Sequence, residues 1–158
     1  MANKEPKKLL YIAYGSNINL WQMALRCPHS KPLDTTMLKG WELEFRGVAN
    51  ITEKKDAQTP VLLWELDPRD IPRLDRYEGF PGFYYKKEFR VQYKGILTGR
   101  RRTITAFAYI MHEDRPLGIP SMFYMKTCRE GYDTFGFDRW VLNEAYEKSL
   151  EACGDEGL

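Results

Sequence analysis

Leu9-Leu10-Tyr11-Ile12-Ala13-Tyr14-Gly15-Ser16-Asn17 changes character within a few residues, and the rest of the chain can be read outward from that change. Leu9 to Ala13 is an apolar and aromatic run of the length of a strand buried on both faces. Gly15-Ser16-Asn17 then supplies turn chemistry before a helix-forming run begins. A strand that ends in a tight polar turn leaves backbone N–H groups at its mouth. Together with the positive end of the following helix, those donors suit a small anion such as a carboxylate, and Gly15 lets ligand and backbone approach closely. The stretch reads as the floor of a ligand pocket whose walls come from the remaining chain.

Downstream, Leu20 to Arg26 is helix-like and Pro28 ends it, with Asn17 or Asn19 as the cap. Thr36 to Ile51 reads as one or two strands in which Trp41, Leu43 and Phe45 share a face. Glu53-Lys54-Lys55-Asp56 predicts a charged, solvated turn, and Val61 to Leu66 a strand inside the sheet. Asp67 as N-cap, Pro68 at the first helical position and Asp70 in the first turn then start a helix, which Gly79, Pro81 and Gly82 terminate.

On that helix Ile71, Leu74 and Glu78 lie on one face, at about 100° per residue. If the two aliphatic residues point into the core, so does the carboxyl. Burial disfavours its charge, and so does the negative end of the helix, so Glu78 is expected to have a raised pKa and to suit general acid/base work near neutral pH. Of the cations nearby in sequence, Arg76 lies on another face and Lys87 follows on the next strand.

Phe83 to Tyr93 alternates, with Phe83, Tyr85, Phe89, Val91 and Tyr93 on a dry face and Tyr84, Lys86, Glu88, Arg90 and Gln92 on a wet one. A loop from Lys94 to Arg100 leads to a partner strand, Thr103 to Met111. Its small Ala106 and Ala108 beside bulky neighbours suit a tightly curved sheet or barrel interior. Ser121 caps a helix from Met122 to Glu130 that Gly131 stops, with Tyr124 and Cys128 on one face. A last helix from about Asp138 to Ala152 carries Leu142, Tyr146 and Leu150 as its apolar stripe and a Glu144–Lys148 pair outside, and Cys153 to Leu158 should fray.

Composition limits the function classes. With 158 residues, 43% hydrophobic and 29% charged, the chain is expected to form one soluble domain over 1–158. A net charge of +2 gives no reason to invoke nucleic acid or a membrane, and Arg100-Arg101-Arg102 reads as a solvated hairpin end. Neither a signal peptide nor a membrane span is expected. Cys27, Cys128 and Cys153 are odd in number and widely spaced, which favours reduced thiols in a cytoplasmic protein over a disulfide scaffold. Cys27-Pro28-His29 would need further ligands to hold zinc, and only one other histidine, His112, exists, so no metal site is expected.

Tyr14-Gly15-Ser16-Asn17 after the first strand, Leu74-Asp75-Arg76-Tyr77-Glu78-Gly79 at a helix end, and Pro120-Ser121 followed by Tyr124, in that order and spacing, resemble the γ-glutamyl cyclotransferase superfamily from about Leu9 to Leu150. The resemblance implies an α+β fold, a small, mixed, barrel-like β-sheet surrounded by several helices. It also implies a cofactor-free reaction in which the α-amino group of a small-molecule γ-glutamyl substrate attacks its own γ-carbonyl, releasing 5-oxoproline and an amine. By the same resemblance Glu78 is the catalytic acid/base, Tyr14, Gly15, Ser16 and Asn17 hold the glutamyl portion, and Tyr124 lines the pocket. The Gly15–Asn17 amides have two candidate duties, clamping the α-carboxylate or stabilising the oxyanion. Family members often carry an arginine after the tyrosine of the strand that follows the glutamate, whereas Tyr85 here precedes Lys86 and Lys87, which keep the charge and lose bidentate geometry. Leaving groups in the superfamily include glutathione-derived peptides, amino acids, ε-lysine and natural products, and either a monomer or a homodimer fits.

Two other readings compete. A serine hydrolase built on Ser16 lacks the G-x-S-x-G elbow, and a Cys27 nucleophile fares no better. A non-catalytic module binding γ-glutamyl or related carboxylate metabolites would retain the same residues without turnover.

Overall fold

In the computed structural model, which describes residues 9–94, 99–112 and 114–154, the opening run forms β1 (Leu9–Ala13), with Tyr11, Ile12 and Ala13 buried. β1 sits at the centre of a five-stranded sheet. It pairs antiparallel with β3 (Ala49–Leu66) and parallel, at Tyr11 and Phe107, with β5 (Arg101–Met111). β2 (Lys31–Phe45) flanks β3, and β4 (Tyr84–Lys94) flanks β5, giving the order β2-β3-β1-β5-β4.

The sheet curls until its two edges meet. Trp41 of β2 packs edge-on against Phe89 of β4, with ring centroids 5.0 Å apart, and Thr36 Oγ1 donates to Gln92 O at 2.7 Å. The barrel-like form is thus closed by side chains between the edge strands. On one face of the sheet near β1 the aromatic rings of Tyr11, Phe107 and Tyr109 pack at 5.4 to 5.6 Å, while the small Ala106 and Ala108 are buried on the other face of β5.

Several local expectations change once these pairings are seen. The turn between β2 and β3 falls at Arg46-Gly47-Val48, where Gly47 has φ +85°. Glu53-Lys54-Lys55-Asp56 is no inter-strand turn. It lies within β3, which pairs with β2 on both sides of it; Lys54 to Ala57 stand opposite Gly40 alone, between the Trp41↔Glu53 and Lys39↔Gln58 pairs. The charged cluster therefore marks a wide bulge in a long hairpin whose apolar ends keep pairing.

The helix α1 (Leu20–Arg26) is capped by Asn19, whose side chain accepts from Gln22 N; Asn17 instead belongs to a single 3-10 turn, Ser16–Ile18, between β1 and α1. A 3-10 turn at Pro68–Asp70, with Asp67 as cap, leads into α2 (Ile71–Glu78), and Gly79 closes that helix in the left-handed conformation. Helix α3 runs from Met122 to Phe135, well past Gly131, and ends at Gly136. Gly131 is there for contact: a Cβ on it would stand 3.0 Å from the backbone of Ile18 and Asn19, so α3 crosses directly over the exit of β1.

Helix α4 (Trp140–Gly154) buries Leu142, Ala145 and Ser149, while Leu150 is exposed, so its inner stripe is rotated from the predicted one. Lys148 pairs with Glu42 of β2 at 2.5 Å and not with Glu144. Cys153 continues the helix; 155–158, like 95–98 of the predicted Lys94–Arg100 loop, lie outside the described residues. Among the described residues no helix is long and apolar enough to cross a membrane.

Candidate active site

Local chemistry bends the chain at the end of β1. The 3-10 turn places Ser16 and Asn17 under the C-terminus of α2, and Gly15 lies where no side chain fits. A Cβ on it would stand 2.8 Å from that of Ala49 and 3.0 Å from the Tyr124 hydroxyl. The end of β1, Val48 of the β2–β3 turn with Ala49 at the start of β3, the last turn of α2, the first residue of β4, Tyr109 of β5 and the first turn of α3 line a cavity of about 410 Å³. Tyr14, Gly15, Ser16, Asn17, Glu78 and Tyr124 all line it.

Glu78 enters from the last turn of α2, with Leu74 of the same face fully buried beneath it. Its Oε1 accepts a hydrogen bond from Asn17 Nδ2 at 3.1 Å. Burial raises its pKa to about 7, against the opposing pull of the Arg26 charge and the Asn17 hydrogen bond. Near neutral pH the group therefore exists in both protonation states, as a side chain that accepts and returns a proton must.

The other walls are mostly phenolic. Tyr14 donates to Tyr109 O at 2.5 Å, Tyr84 donates to Ala49 O at 2.8 Å, and Tyr124 accepts from Ala49 N at 3.0 Å. The backbone of one residue of β3, Ala49, is thus gripped from α3 at its N–H and from β4 at its carbonyl. Tyr109 donates to Asp75 at 2.5 Å, and Lys86 pairs with the same oxygen at 2.9 Å while lying over the Phe80 ring. Lys86 is engaged in holding α2 to the sheet. Burial raises the pKa of Tyr11, Tyr14, Tyr84, Tyr109 and Tyr124, so these hydroxyls remain neutral hydrogen-bonding groups.

Four residues of this site do not stand out in the sequence. Tyr84 is assigned to the wet face of its strand by alternation, yet it is buried, because β4 begins where α2 and β3 cover that face. Tyr109 is one aromatic among many on β5. Tyr77 and Arg26 meet only in the fold: the Arg26 guanidinium lies 3.4 Å over the Tyr77 ring, and Tyr77 in turn bonds Ser16 Oγ at 3.1 Å. Arg26, not Arg76 or Lys87, is the cation that acts on Glu78, although Arg76 also borders the cavity. The nine-residue separation of Arg26 from Asn17 offers no local signal.

The Cys27-Pro28-His29 stretch has a structural use. His29 N and Ser30 Oγ donate to the buried Asp70 carboxylate at 3.0 and 2.7 Å, tying the exit of α1 to the entry of α2. Burial pushes the Cys27 thiol up to about 12, which makes it a poor nucleophile. Among the described residues no group of three or more His, Cys, Asp or Glu side chains is placed to hold a metal ion.

Comparison with known proteins agrees with this architecture. Gamma-glutamylcyclotransferase of Mus musculus is 27% identical over an alignment covering 96% of this chain and 81% of that protein, and the Homo sapiens protein of the same name is 26% identical over 94% and 80%. A solved gamma-glutamyl cyclotransferase structure superposes with a TM-score of 0.69 at 22% identity, covering 90% of this chain and 86% of that one. YkqA from Bacillus subtilis gives 0.68 at 16% identity, covering 93% of this chain and 56% of that one. The sequence profile of the family described as gamma-glutamyl cyclotransferase, AIG2-like, matches residues 11–126, which includes the end of β1, the Glu78 helix and Tyr124, and the chain belongs to that family.

Proposed function

We propose that this chain is a cyclotransferase that converts a γ-glutamyl amine or peptide to 5-oxoproline and the free amine. The observation that carries this reading is one carboxyl, Glu78, poised near pH 7 and held at 3.1 Å by Asn17 in the wall of a cavity whose other lining residues are largely tyrosines and, among the described residues, include no second carboxylate. In the proposed cycle the substrate's α-amino group reacts as the neutral amine, and the Glu78 carboxylate takes one of its two protons as the new C–N bond forms. The nitrogen lone pair attacks the γ-carbonyl and closes the five-membered ring. The bond from that carbon to the leaving nitrogen then breaks, and Glu78 returns its proton to the departing amine. No redox group or external nucleophile takes part.

Ring closure is intramolecular, so a cavity that holds the glutamyl chain bent supplies much of the acceleration; effective molarities in such reactions reach about 10⁵ M or more. In this scheme Tyr14 to Asn17 bind the glutamyl portion, Tyr124 packs against it, and the Gly15–Asn17 turn serves the α-carboxylate or the developing oxyanion. The decisive experiment incubates the protein with a panel of γ-glutamyl amino acids, peptides and amines and follows 5-oxoproline by mass spectrometry. Wild type should release it from at least one compound. Glu78→Gln should bind that compound and turn it over about 10³-fold more slowly or less, as expected when a general acid/base is removed. Binding without release from any compound would replace the enzyme by a γ-glutamyl-binding module.

A further inference from the structure

We propose that Arg26, at the end of α1 and outside the cavity lining, is the positioning residue of this site: it holds the Asn17 carboxamide with its NH2 turned to Glu78 and fixes Tyr77 against Ser16. Its catalytic meaning rests on the function proposed above, while its geometry stands independently.

Asn17 is buried and fully engaged. Its Oδ1 accepts from Arg26 Nη1 at 2.7 Å, its Nδ2 donates to both Tyr11 Oη and Glu78 Oε1 at 3.1 Å, and its backbone carbonyl accepts from Trp64 Nε1 at 2.9 Å. A guanidinium only donates. Turning the carboxamide over would therefore set NH2 against NH at one end and oxygen against carboxylate at the other. With Arg26 in place, Glu78 meets a donor whether or not it carries a proton. Arg26 is itself fixed, since its Nη2 donates to Gln22 Oε1 at 2.8 Å one turn earlier on α1, and its plane lies 3.4 Å over the Tyr77 ring. The Tyr77 hydroxyl reaches Ser16 Oγ at 3.1 Å. One side chain thus secures both the β1 turn and the last turn of α2, the two elements that flank the acid.

Its charge also matters at this location. The titratable groups on neighbouring elements that feel the Glu78 charge are Tyr11 and Tyr14 at the end of β1, Tyr84 on β4, Tyr109 on β5 and Tyr124 on α3, all kept neutral by burial. Arg76 borders the cavity but is solvent-exposed. Arg26 is the cation that opposes the burial of Glu78. Removing it deletes a positive charge and frees the carboxamide to turn, and both changes make the ionised acid harder to form.

The test combines Arg26→Gln and Arg26→Lys with 13C NMR titration of the Glu78 carboxyl and the pH profile of 5-oxoproline release. Arg26→Gln should move the Glu78 midpoint upward by about one pH unit, a tenfold change in the proton equilibrium. It should lower kcat at pH 7 by about fivefold, with much of the loss recovered at pH 8.5. Arg26→Lys keeps the charge without the fork, so the midpoint should stay near the wild-type value while KM rises as the Asn17 and Tyr77 walls loosen. Gln22→Ala, which removes only the support of Arg26, should move the midpoint the same way by less, and it serves if Arg26→Gln does not fold. A folded Arg26→Gln protein with the wild-type midpoint overturns the proposal. If wild type releases no 5-oxoproline, the enzymatic reading fails while the NMR titration still decides the role of Arg26.

Discussion

Glu78 protonates near pH 7 in the folded chain, against an ordinary value of 4.5, so between those values the folded state holds a proton that the unfolded state has released. Below about 4.5 both states are protonated and the group is neutral toward stability. As pH rises from about 4.5 to 7 the folded state keeps a proton that the unfolded state has given up, so stability falls by about 3 kcal/mol across that window and levels off above it. Glu78→Gln, besides losing activity, should therefore be more stable than wild type at pH 8, with Tm higher by about 5–10 °C, and the gain should shrink toward zero near pH 4.5. Thermal melts of the two proteins across that range check the sign. A constant difference would mean that Glu78 does not titrate in the folded state. The same shift sets the activity profile: turnover should decline on acidification below about pH 7, well above the range where surface carboxylates protonate.

Among the elements, α3 offers the sharpest test, because local propensity and packing disagree at Gly131. By propensity alone Ala at this interior helical position should stabilise the protein by about 1 kcal/mol. The fold reverses the sign. An added Cβ meets the Ile18 carbonyl carbon, the Asn19 nitrogen and the Ile18 side chain at 3.0 Å, and backbone cannot move aside as a long side chain would. Gly131→Ala should cost about 1–3 kcal/mol in denaturant unfolding, and it should raise KM because the displaced segment, Ile18–Asn19, follows directly on Ser16 and Asn17. A neutral or stabilising result would show that α3 does not approach the β1 exit this closely. Ser121 opens the same helix by accepting from Tyr124 N at 3.1 Å, so cap and cavity residue are fixed together.

At the scale of the whole molecule, the curled sheet depends on its edge strands meeting. Phe89 is buried at that seam against Trp41, far along β4 from Tyr84 at the cavity. Phe89→Ala should lower stability by about 3–4 kcal/mol, or roughly 6–16 °C in Tm, by emptying a packed aromatic site. Turnover below the new melting temperature should remain close to wild type, with an unchanged acid limb. Equal losses of activity and stability well below that temperature would mean that closure of the sheet, and not only the β1–α2 junction, shapes the cavity.

What could be read from the linear chain was whatever depends on neighbours within a few residues. The β1 run, the Asp67-Pro68 helix start, the Gly79 stop and the Ser121 cap are of this kind, and so is the inward phase of Glu78 relative to Leu74, because strand and helix periods act locally. The family motifs extended that reading to the general fold. Long-range geometry decided the rest. Gly131 looks like a stop until Ile18 and Asn19 are seen against it, Lys148 faces Glu144 in sequence but meets Glu42 across an interface, and Tyr84 passes for a wet-face residue until α2 and β3 cover it. Arg26 reaches Asn17, Gln22 and Tyr77 at once only because α1 and α2 pack together. Burial and charge pairing are properties of what surrounds a residue in space, and that surrounding exists only after the chain has closed on itself.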